Sequence, residues 1–202
     1  MEEGDFVLIE LEGRDVNGNI FDTTKGDLAK KLHGKEGPLL VVYGKAVLIP
    51  GLKKALAEMK EGEEREIKLS PDEAFGKKKK ELIKVVPLSQ FKARGVVPTK
   101  GNIVSFETEG GVVNGIVKSI SNGRVMIDFN HPMAGREVIY RIKVVKVIKD
   151  EKEKIKVLLS DLGVREYEIE GNVVKIKDKD KLELVKVNIA FLFPHYSVEL
   201  TH

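Results

Sequence analysis

The sequence predicts an α+β protein that begins with several strands and a short helix, followed by two further modules along the chain. Three observations carry this prediction. Apolar runs of strand length, bounded by Gly, Pro and Asn, dominate the first part of the chain. Several short apolar strands separated by glycines follow, which is typical of a small all-β domain. After residue 150 the apolar residues recur at helical spacing on both sides of a hairpin, which predicts a small α/β domain.

The first part of the chain alternates between strands and turns. Strands are predicted at residues 6–11, 39–43 and 64–69. Between the last two, Leu52, Leu56 and Met59 recur at helical spacing. A short amphipathic helix is therefore expected there, with Gly62 as its C-terminal cap.

The middle of the chain carries the all-β pattern. Short apolar strands are predicted at residues 103–106, 112–117 and 125–129, with Gly110-Gly111 and Asn122-Gly123 as turns between them. A module of about fifty residues is large enough for a domain but too small to form the core of the whole chain. One long alternating strand is predicted to follow it, at residues 137–148.

The C-terminal segment has a pattern of its own. The predicted elements are a helix around residues 155–162 capped by Gly163, a hairpin at 165–177, a helix at 181–193 and a strand at 197–200. A core of this size is marginal, so we expect the apolar face of the second helix, including Phe191, Leu192 and Phe193, to pair in a homodimer. The alternative is that this face packs on the segment's own hairpin and the protein is monomeric.

Composition excludes several classes of protein and of site. The chain of 202 residues has 35 basic and 32 acidic side chains, which is typical of thermophilic proteins and also of any highly solvated surface. The absence of Cys excludes disulfides and thiolate sites, and the four His are too widely spaced to indicate a metal site. No apolar run approaches about 20 residues and the N-terminus has no signal-peptide pattern, so we expect a cytoplasmic protein without a membrane segment.

Five stretches of the chain occur in the order and spacing of a known family. They are Ile20-Phe21-Asp22, Pro38 to Tyr43 with Gly44-Lys45, Val47-Leu48-Ile49-Pro50-Gly51-Leu52, Met59 with Gly62, and Ser70 to Gly76. This ordered set resembles the FKBP-type peptidyl-prolyl isomerases, and the resemblance covers roughly residues 5–148. It implies the FKBP antiparallel sheet wrapped on a short helix.

The later parts of the chain refine this resemblance. The module that closes on Asn130-His131-Pro132-Met133-Ala134-Gly135 resembles the insert-in-flap domain of the SlyD-like subgroup, and Val138 to Val144 resembles the last FKBP strand. A further folded C-terminal segment is similar to that of the long-chain archaeal FKBPs. The predicted domains are therefore residues 1–83 with 130–150 (catalytic), 84–129 (insert) and 151–202 (C-terminal α/β).

The family's reaction is rotation about an X-Pro bond, which needs no nucleophile, metal or cofactor. Amide resonance sets a barrier of about 18–20 kcal/mol, and an apolar, water-poor pocket favours the less dipolar, twisted transition state. The resemblance implies a pocket wall of Phe21, Leu39, Val41, Leu48, Ile49, Leu52, Phe75 and Tyr140. It also implies that the Ile49 backbone N–H holds a substrate carbonyl and that Asp22 supplies a polar group at the rim. Without the family, the apolar residues are equally explained as core, and Asp22 as a turn or cap residue.

Three positions depart from the family's usual pocket. Leu11 stands where many FKBPs have a Tyr, Phe75 stands where a Tyr hydroxyl usually points at the ligand, and Leu52 replaces a Trp. A lost hydroxyl donor costs about 0.5–1.5 kcal/mol, which weakens fixed recognition without removing an apolar mechanism. We therefore expect activity, with reduced affinity for macrocyclic inhibitors.

The insert is apolar for its size and is expected to leave a surface that binds unfolded, proline-containing chains. The candidate residues are Val85, Val86, Leu88, Phe91, Val96, Val97 and Met133. The alternative for each of them is the module's own core. The leading hypothesis is thus a prolyl isomerase that also acts as a chaperone, and its rival is a holdase with a catalytically weak FKBP domain.

A third hypothesis, an association with nucleic acid, depends on the basic run Lys77-Lys78-Lys79-Lys80. Such a run is more typical of a solvated loop, the aromatic residues of a nucleic-acid site are missing, and the net charge is only +3. Nucleic acid is therefore not expected as a partner. His131 has no second metal ligand nearby in the sequence, so a hydrogen-bonded structural role is expected for it.

Overall fold

The computed structural model describes residues 1–201, which form two compact units. One unit contains Met1–Lys68 and the chain from Ile139 onward, and the other contains Leu69–Val138. The strands in chain order are β1 (Phe6–Asp15), β2 (Ile20–Thr23), β3 (Leu39–Val42), β4 (Glu64–Leu69), β5 (Ile83–Pro87), β6 (Ile103–Thr108), β7 (Gly111–Ser121), β8 (Arg124–Asp128), β9 (Val138–Ile148), β10 (Tyr167–Glu170), β11 (Val173–Ile176) and β12 (Ser197–Leu200). The helices are α1 (Gly26–His33), α2 (Pro50–Glu58), α3 (Leu88–Ala93), α4 (Glu151–Asp161) and α5 (Leu182–Leu192).

The first unit is built on a sheet with the strand order β2-β1-β9-β4. The strand β3 also pairs with β1, antiparallel and along its first half, where Phe6 lies opposite Val42. The strand β2 pairs along the second half, where Gly13 lies opposite Asp22. This arrangement confirms the α+β fold class and the antiparallel sheet predicted from the sequence.

Successive residues of β1 face opposite sides of the sheet, and both sides are covered along its first half. The buried residues of one face are Val7, Ile9, Leu11 and Gly13. On the other face, Phe6 and Leu8 join Leu40 and Val42 of β3 in the core of the C-terminal segment. The strand β1 is therefore a central element of the unit.

The helix α2 begins at Pro50, a residue that the first turn of a helix tolerates because its missing N–H would have no partner there. Its buried face consists of Gly51, Leu52, Ala55 and Leu56. The sequence predicts Gly62 as its cap, but the helix ends at Glu58 and Met59 is already extended. Gly62 instead has a φ of +80° and donates its N–H to the Val144 carbonyl at 2.8 Å, so it serves the turn into β4.

The C-terminal segment places α4 and α5 with a sheet of order β10-β11-β12. Because β11 and β12 run parallel, a crossover is required, and α5 supplies it. The buried core residues of this part include Ile155, Leu158, Leu159, Val164, Val174, Ile176, Val185, Ile189, Phe193 and Tyr196, together with Phe6 and Ile148. The segment thus shares one continuous core with β1 and β3, whereas the sequence predicts a domain of its own.

Two details of the sequence-based expectation change with this packing. Phe193 is 4% exposed in the core, so it is not part of the helix face that was expected to pair. Residues 151–201 share the compact unit of Met1–Lys68, and the second unit extends beyond 84–129 on both sides. The division into three domains at the predicted boundaries stays a prediction.

The second unit is an antiparallel sheet of order β5-β8-β7-β6. Its core residues are Phe91, Val104, Val117, Val125 and Ile127, with Val86, Leu88, Phe106 and Phe129 packed against them. Gly115 on β7 permits this packing, because a Cβ there would lie 2.5 Å from Ile127 Cγ2. The short helix α3 was not predicted, since its six residues are too few to show a helical period.

Polar contacts join the two chain segments that lead into and out of this sheet. Asn130 accepts the Lys79 N–H at 2.8 Å and donates to the Lys79 carbonyl at 3.0 Å. The same side chain donates to the buried Asp128 carboxylate at 2.8 Å, and Lys78 lies 3.4 Å from it. Burial alone would raise the pKa of Asp128, but the hydrogen bonds from Asn130 and the charge of Lys78 outweigh it and lower that pKa.

Candidate active site

Two aromatic rings meet over a glycine of the central strand. Phe21 on β2 and Tyr140 on β9 lie edge to face, with ring centroids 5.7 Å apart and an interplanar angle of 87°. Gly13 on β1 lies beneath them, and a Cβ at this position would be 2.7 Å from the Tyr140 ring and 3.1 Å from the Phe21 ring. The absence of a side chain at Gly13 is therefore what lets both rings lie against the sheet.

Asp22 follows Phe21 and provides the polar group beside these rings. The Tyr140 hydroxyl donates to Asp22 Oδ2 at 3.2 Å. Burial raises the pKa of Tyr140, and the charge and hydrogen bond of Asp22 raise it further. The phenol therefore stays protonated and remains a donor to the carboxylate at all physiological pH values.

His33 is a neighbour of the site that sequence reasoning missed. Its Nε2 lies 2.8 Å from Asp22 Oδ1, and both side chains are less than a quarter exposed. His33 is the last residue of α1. No spacing motif links a lone His to an acid eleven residues earlier, so the sequence held no signal for this contact.

The remaining predicted wall residues of the first unit occupy β3, α2 and the loop between them. Leu39 lies opposite Ile9 and Val41 opposite Val7, so both share the face of the sheet that carries Gly13. Val41 and Leu52 are each 5% exposed, whereas Leu39, Leu48 and Ile49 are half-buried. Half-buried apolar side chains are directly accessible to a ligand, whereas Val41, Leu52 and Tyr140, the last 2% exposed, are almost fully buried in this structure. The pocket wall that the resemblance implies stays a prediction.

Ile49 is the residue before the first turn of α2. Its backbone is extended, and its carbonyl accepts the first helical hydrogen bond, from Lys53 N–H at 3.1 Å. Among residues 1–201 no acceptor pairs with the Ile49 backbone N–H. A half-buried donor of this kind fits the predicted role of holding a substrate carbonyl, which stays a prediction.

Phe75 belongs to the second unit, where it stacks on His131. The two rings are parallel within 4°, with centroids 4.1 Å apart. The Met133 N–H donates to His131 Nδ1 at 3.2 Å, and partial burial lowers the pKa of His131. His131 is thus exposed at the surface, stacked on Phe75 and hydrogen-bonded through Nδ1.

The predicted client-binding residues of the insert differ widely in exposure. Phe91 is 5% exposed and central to the core, contrary to the expectation of a surface residue. Val86 and Leu88 are half-buried against that core, and Met133 is half-buried as well. Exposed apolar side chains remain at Val85, Val96 and Val97.

The structure adds further apolar surface that the sequence did not single out. A cavity of about 290 Å³ is lined by Gln90, Phe91, Arg94, Val96, Ile103, Val104, Ser105 and Phe106. Ile103 on β6 is 69% exposed, and Val112 on β7 is 66% exposed. The sequence predicts strands at Ile103 and Val112, but a strand pattern by itself does not show which face of the sheet remains exposed to solvent.

Two lysines of the basic run at residues 77–80 form ion pairs with acidic side chains. Lys77 lies 3.4 Å from Asp72, and Lys78 lies 3.4 Å from Asp128.

Within residues 1–201 no group of three or more His, Cys, Asp or Glu side chains could hold a metal ion. In the same part of the chain, no helix combines the length and the apolar character needed to cross a membrane.

The chain is similar in sequence to a set of known proteins. A profile described as FKBP-type peptidyl-prolyl cis-trans isomerase matches residues 1–91, and one described as FKBP26, IF domain, matches residues 84–133. The isomerase SlyD of Helicobacter pylori is 32% identical over 157 residues, which cover 77% of this chain and 80% of that protein. The short-type peptidyl-prolyl cis-trans isomerase of Methanocaldococcus jannaschii is 29% identical over 158 residues, which cover 76% of this chain and 98% of that protein. The structure of the three FKBP domains of wheat FKBP73 matches with a TM-score of 0.38 and 18% identity, over 74% of this chain and 40% of that one.

Proposed function

The chain belongs to the FKBP-type peptidyl-prolyl cis-trans isomerases and is an enzyme of that type, and on this premise we propose that it is also a folding chaperone. In this proposal the first unit rotates X-Pro bonds and the second unit binds unfolded chains. The observation that carries the proposal is the open apolar surface of the second unit around β6. A rival proposal, a holdase with a weak isomerase site, differs only in the catalytic rate.

The isomerase reaction is assigned to the apolar surface around Phe21 and Tyr140. Rotation about the C–N bond removes amide resonance, so the twisted transition state is less dipolar than either planar isomer. Aromatic walls that exclude water stabilise the twisted form relative to the planar one, which lowers the barrier without any bond to the enzyme. The two isomers differ by only about 0.5–1 kcal/mol, so the enzyme changes the rate and leaves the equilibrium unchanged.

Polar groups near these walls are assigned to orientation of the peptide. The Ile49 N–H is a donor without a partner inside the described chain, and it suits a substrate carbonyl next to the proline. Asp22 accepts from Tyr140 and so keeps the phenol directed away from the apolar surface. Neither group takes part in proton transfer in this mechanism.

The chaperone activity is assigned to the cavity beside α3 and to the exposed apolar side chains near it. Val96 and Val97, in the loop after α3, are 43% and 85% exposed, and Ile103 at the start of β6 is 69% exposed. Since β6 ends the strand order of this sheet, one edge of it is unpaired, and an extended client segment can add there as a further strand. Such binding uses backbone hydrogen bonds and therefore tolerates many client sequences.

Two assays on the intact protein test the proposal. The first follows isomerisation of a short proline peptide, and the second follows refolding of a protein whose slow phase is proline isomerisation. A combined isomerase and chaperone accelerates the second reaction far more, at equal enzyme concentration, than its peptide activity accounts for. A holdase delays aggregation but accelerates neither reaction.

We also propose that the protein pairs through α5. The outward face of this helix carries Leu184, Val187 and Phe191, which are 49%, 67% and 66% exposed. They stand at i, i+3 and i+7, so they form one apolar stripe. A stripe of this kind on a charged surface is typical of a helix–helix interface between two copies.

A further inference from the structure

We propose that His33 is a positioning residue of the isomerase site, which fixes the Asp22 carboxylate through a hydrogen bond from its Nε2. The two atoms His33 Nε2 and Asp22 Oδ1 lie 2.8 Å apart. Asp22 in turn orders the Tyr140 hydroxyl, so His33 acts on the aromatic wall through Asp22 and does not touch the substrate. The inference rests on the isomerase activity of the first unit.

The hydrogen bonds of Asp22 account for both of its oxygens. Oδ2 accepts from the Tyr140 hydroxyl and Oδ1 faces His33. An ionised carboxylate only accepts, so the proton of the pair with His33 has to reside on Nε2. Two donors on opposite oxygens fix the plane of the carboxylate, and the loss of either one frees its rotation.

The chain around His33 is arranged so that the imidazole reaches Asp22. The helix α1 ends at His33 because Gly34 takes a left-handed conformation with a φ of +73° and donates to the Lys30 carbonyl at 2.9 Å. The loop containing α1 is closed at its base by Gly37 N–H, which donates to the Thr24 carbonyl at 2.9 Å. These contacts hold the helix end next to β2.

The position at the end of α1 also strengthens His33 as a donor. Carbonyl groups without intrahelical partners give the C-terminus of a helix a partial negative charge, which favours an N–H or a cation there. The side chains of His33 and Asp22 are 23% and 22% exposed, so the pair is screened less than an ion pair on the open surface. We therefore expect this hydrogen bond to contribute more free energy than an average pair on the open surface.

Three substitutions separate positioning from mere packing. His33→Leu keeps an apolar side chain of similar reach but removes the donor. His33→Gln places an amide nitrogen near the position of Nε2, and His33→Asn carries the same amide too short to reach Asp22. We expect kcat/KM for a proline tetrapeptide to fall about five- to tenfold in the Leu and Asn variants, and to recover within about twofold of wild type in the Gln variant.

A double-mutant cycle tests whether His33 acts through Asp22. The change His33→Leu is made in wild type and in the Asp22→Ala protein, and all four proteins are compared. If His33 only positions Asp22, its replacement has no further effect once the carboxylate is gone. Equal losses in both backgrounds, or equal activity of the Leu and Gln variants, would overturn the proposal.

The imidazole itself gives a readout that does not depend on activity. In the wild-type protein, nitrogen-15 spectra of His33 are expected to show the Nε2–H tautomer with a slowly exchanging N–H proton. In Asp22→Ala the proton should exchange faster and both tautomers should appear. A wild-type His33 that already samples both tautomers would contradict the proposed hydrogen bond.

Discussion

The Tyr140 hydroxyl on β9 donates a hydrogen bond to Asp22 on β2, a residue 118 positions earlier in the chain. The donor and the acceptor come from the segments that precede and follow the second unit in sequence. Leu11 on β1 carries no hydroxyl, and the hydroxyl that meets Asp22 comes from Tyr140 on β9.

The first prediction concerns this hydroxyl. Tyr140→Phe keeps the ring against Gly13 and Phe21 but removes the donor to Asp22. A hydrogen bond to a charged group contributes about 1.5–3 kcal/mol, part of which water recovers at this half-buried acceptor. We expect kcat/KM for a tetrapeptide to fall about three- to tenfold while the melting temperature changes by only a few degrees.

Tyr167→Phe is the matched control, since Tyr167 is half-buried on β10 of the same unit but lies outside the candidate site. Its activity should equal that of wild type. If Tyr140→Phe were as active as this control, the hydrogen bond to Asp22 would have no part in catalysis.

A second prediction tests the close approach at Gly13. In Gly13→Ala, the new Cβ would lie 2.7 Å from the Tyr140 ring, which is well inside contact distance. The ring has to move or the sheet has to bend, and overpacking of this kind typically costs about 1–3 kcal/mol. Urea unfolding should show that loss, and the tetrapeptide activity should fall because Tyr140 no longer meets Asp22. An equally stable and equally active alanine variant would show that the site tolerates displacement of the ring.

Much of the fold and part of the site could be predicted from the sequence, for physical reasons that are local. The strands β4 and β9 and the helix α2 show their period directly, because one face of each is buried. The strands β1 and β3 are continuous apolar runs and were recognised by their length and by the turn residues that bound them. Phe21 and Asp22 were predicted as site residues because they lie within one short motif of the family, and their role stays a prediction. Local patterns of this kind need no knowledge of the partner strand.

Other features depend on contacts between distant segments, and the sequence did not show them. The role of Gly13 follows from the Tyr140 ring, and that of His33 follows from the closure of a loop. Likewise, Phe91 was expected on the surface because the helix α3, which turns it into the core, is too short to have a period. In each case the surroundings of the residue depend on a second segment that packs against it, and the sequence of one segment does not show which segment that is.

A third prediction uses the lowered pKa of Asp128. Because its pKa in the folded protein lies below the ordinary value of 3.8, the folded state binds fewer protons than the unfolded one. Its stabilisation is therefore complete above about pH 3.8 and is lost as the pH falls through the lower folded pKa. Asp128→Asn should cost about 1 kcal/mol at pH 7, and this difference should shrink below pH 4.

Thermal unfolding of both proteins between pH 7 and pH 2.5, followed by circular dichroism, measures the difference. Asp72→Asn is a suitable control, because Asp72 is exposed and its ion pair, with Lys77 at 3.4 Å, is exposed as well. A difference between wild type and Asp128→Asn that stays constant over this range would contradict a stabilising role of the charge.

A fourth prediction separates the two proposed activities. Residues 84–129 are replaced by a short Gly-Ser loop that joins Ile83 to Asn130. The two chain segments are adjacent there, because Ile83 lies opposite Asp128, two residues before Asn130, and the Phe129 N–H donates to the Leu82 carbonyl at 2.9 Å. A loop of a few residues therefore suffices to join the ends. Proline-limited refolding of a client protein should slow greatly, while tetrapeptide turnover should change less than about twofold.

Point variants give the same test without a deletion. Val97→Ser removes an apolar side chain that is 85% exposed and should weaken client binding without loss of stability. Phe91→Ala removes a core ring and should cost about 3–5 kcal/mol, which unfolds the second unit. If the deletion or Val97→Ser reduced both assays equally, the second unit would be part of the catalytic site and not a separate client platform.

The C-terminal core decides how the proposed dimer has to be tested. Truncation after residue 150 would expose Phe6 and Leu8, because these side chains of β1 are covered by α4, α5 and the strands beside them. A truncated protein could therefore aggregate for reasons that have nothing to do with a native interface. Substitutions on the outward face of α5 in the full chain avoid this difficulty.

The last prediction is that Val187→Glu converts a dimer into a monomer. Val187 is 67% exposed at the centre of the stripe formed with Leu184 and Phe191, so a carboxylate there is harmless in a monomer but is buried without a partner in a helix–helix interface. Light scattering at tens of micromolar should give twice the chain mass for wild type and the chain mass for the variant, with equal melting curves at high dilution. Val16→Glu, which places the same charge at a valine 59% exposed in the turn between β1 and β2, should remain dimeric. A monomeric wild type would end the proposal, and a Val187→Glu dimer would move the interface away from α5.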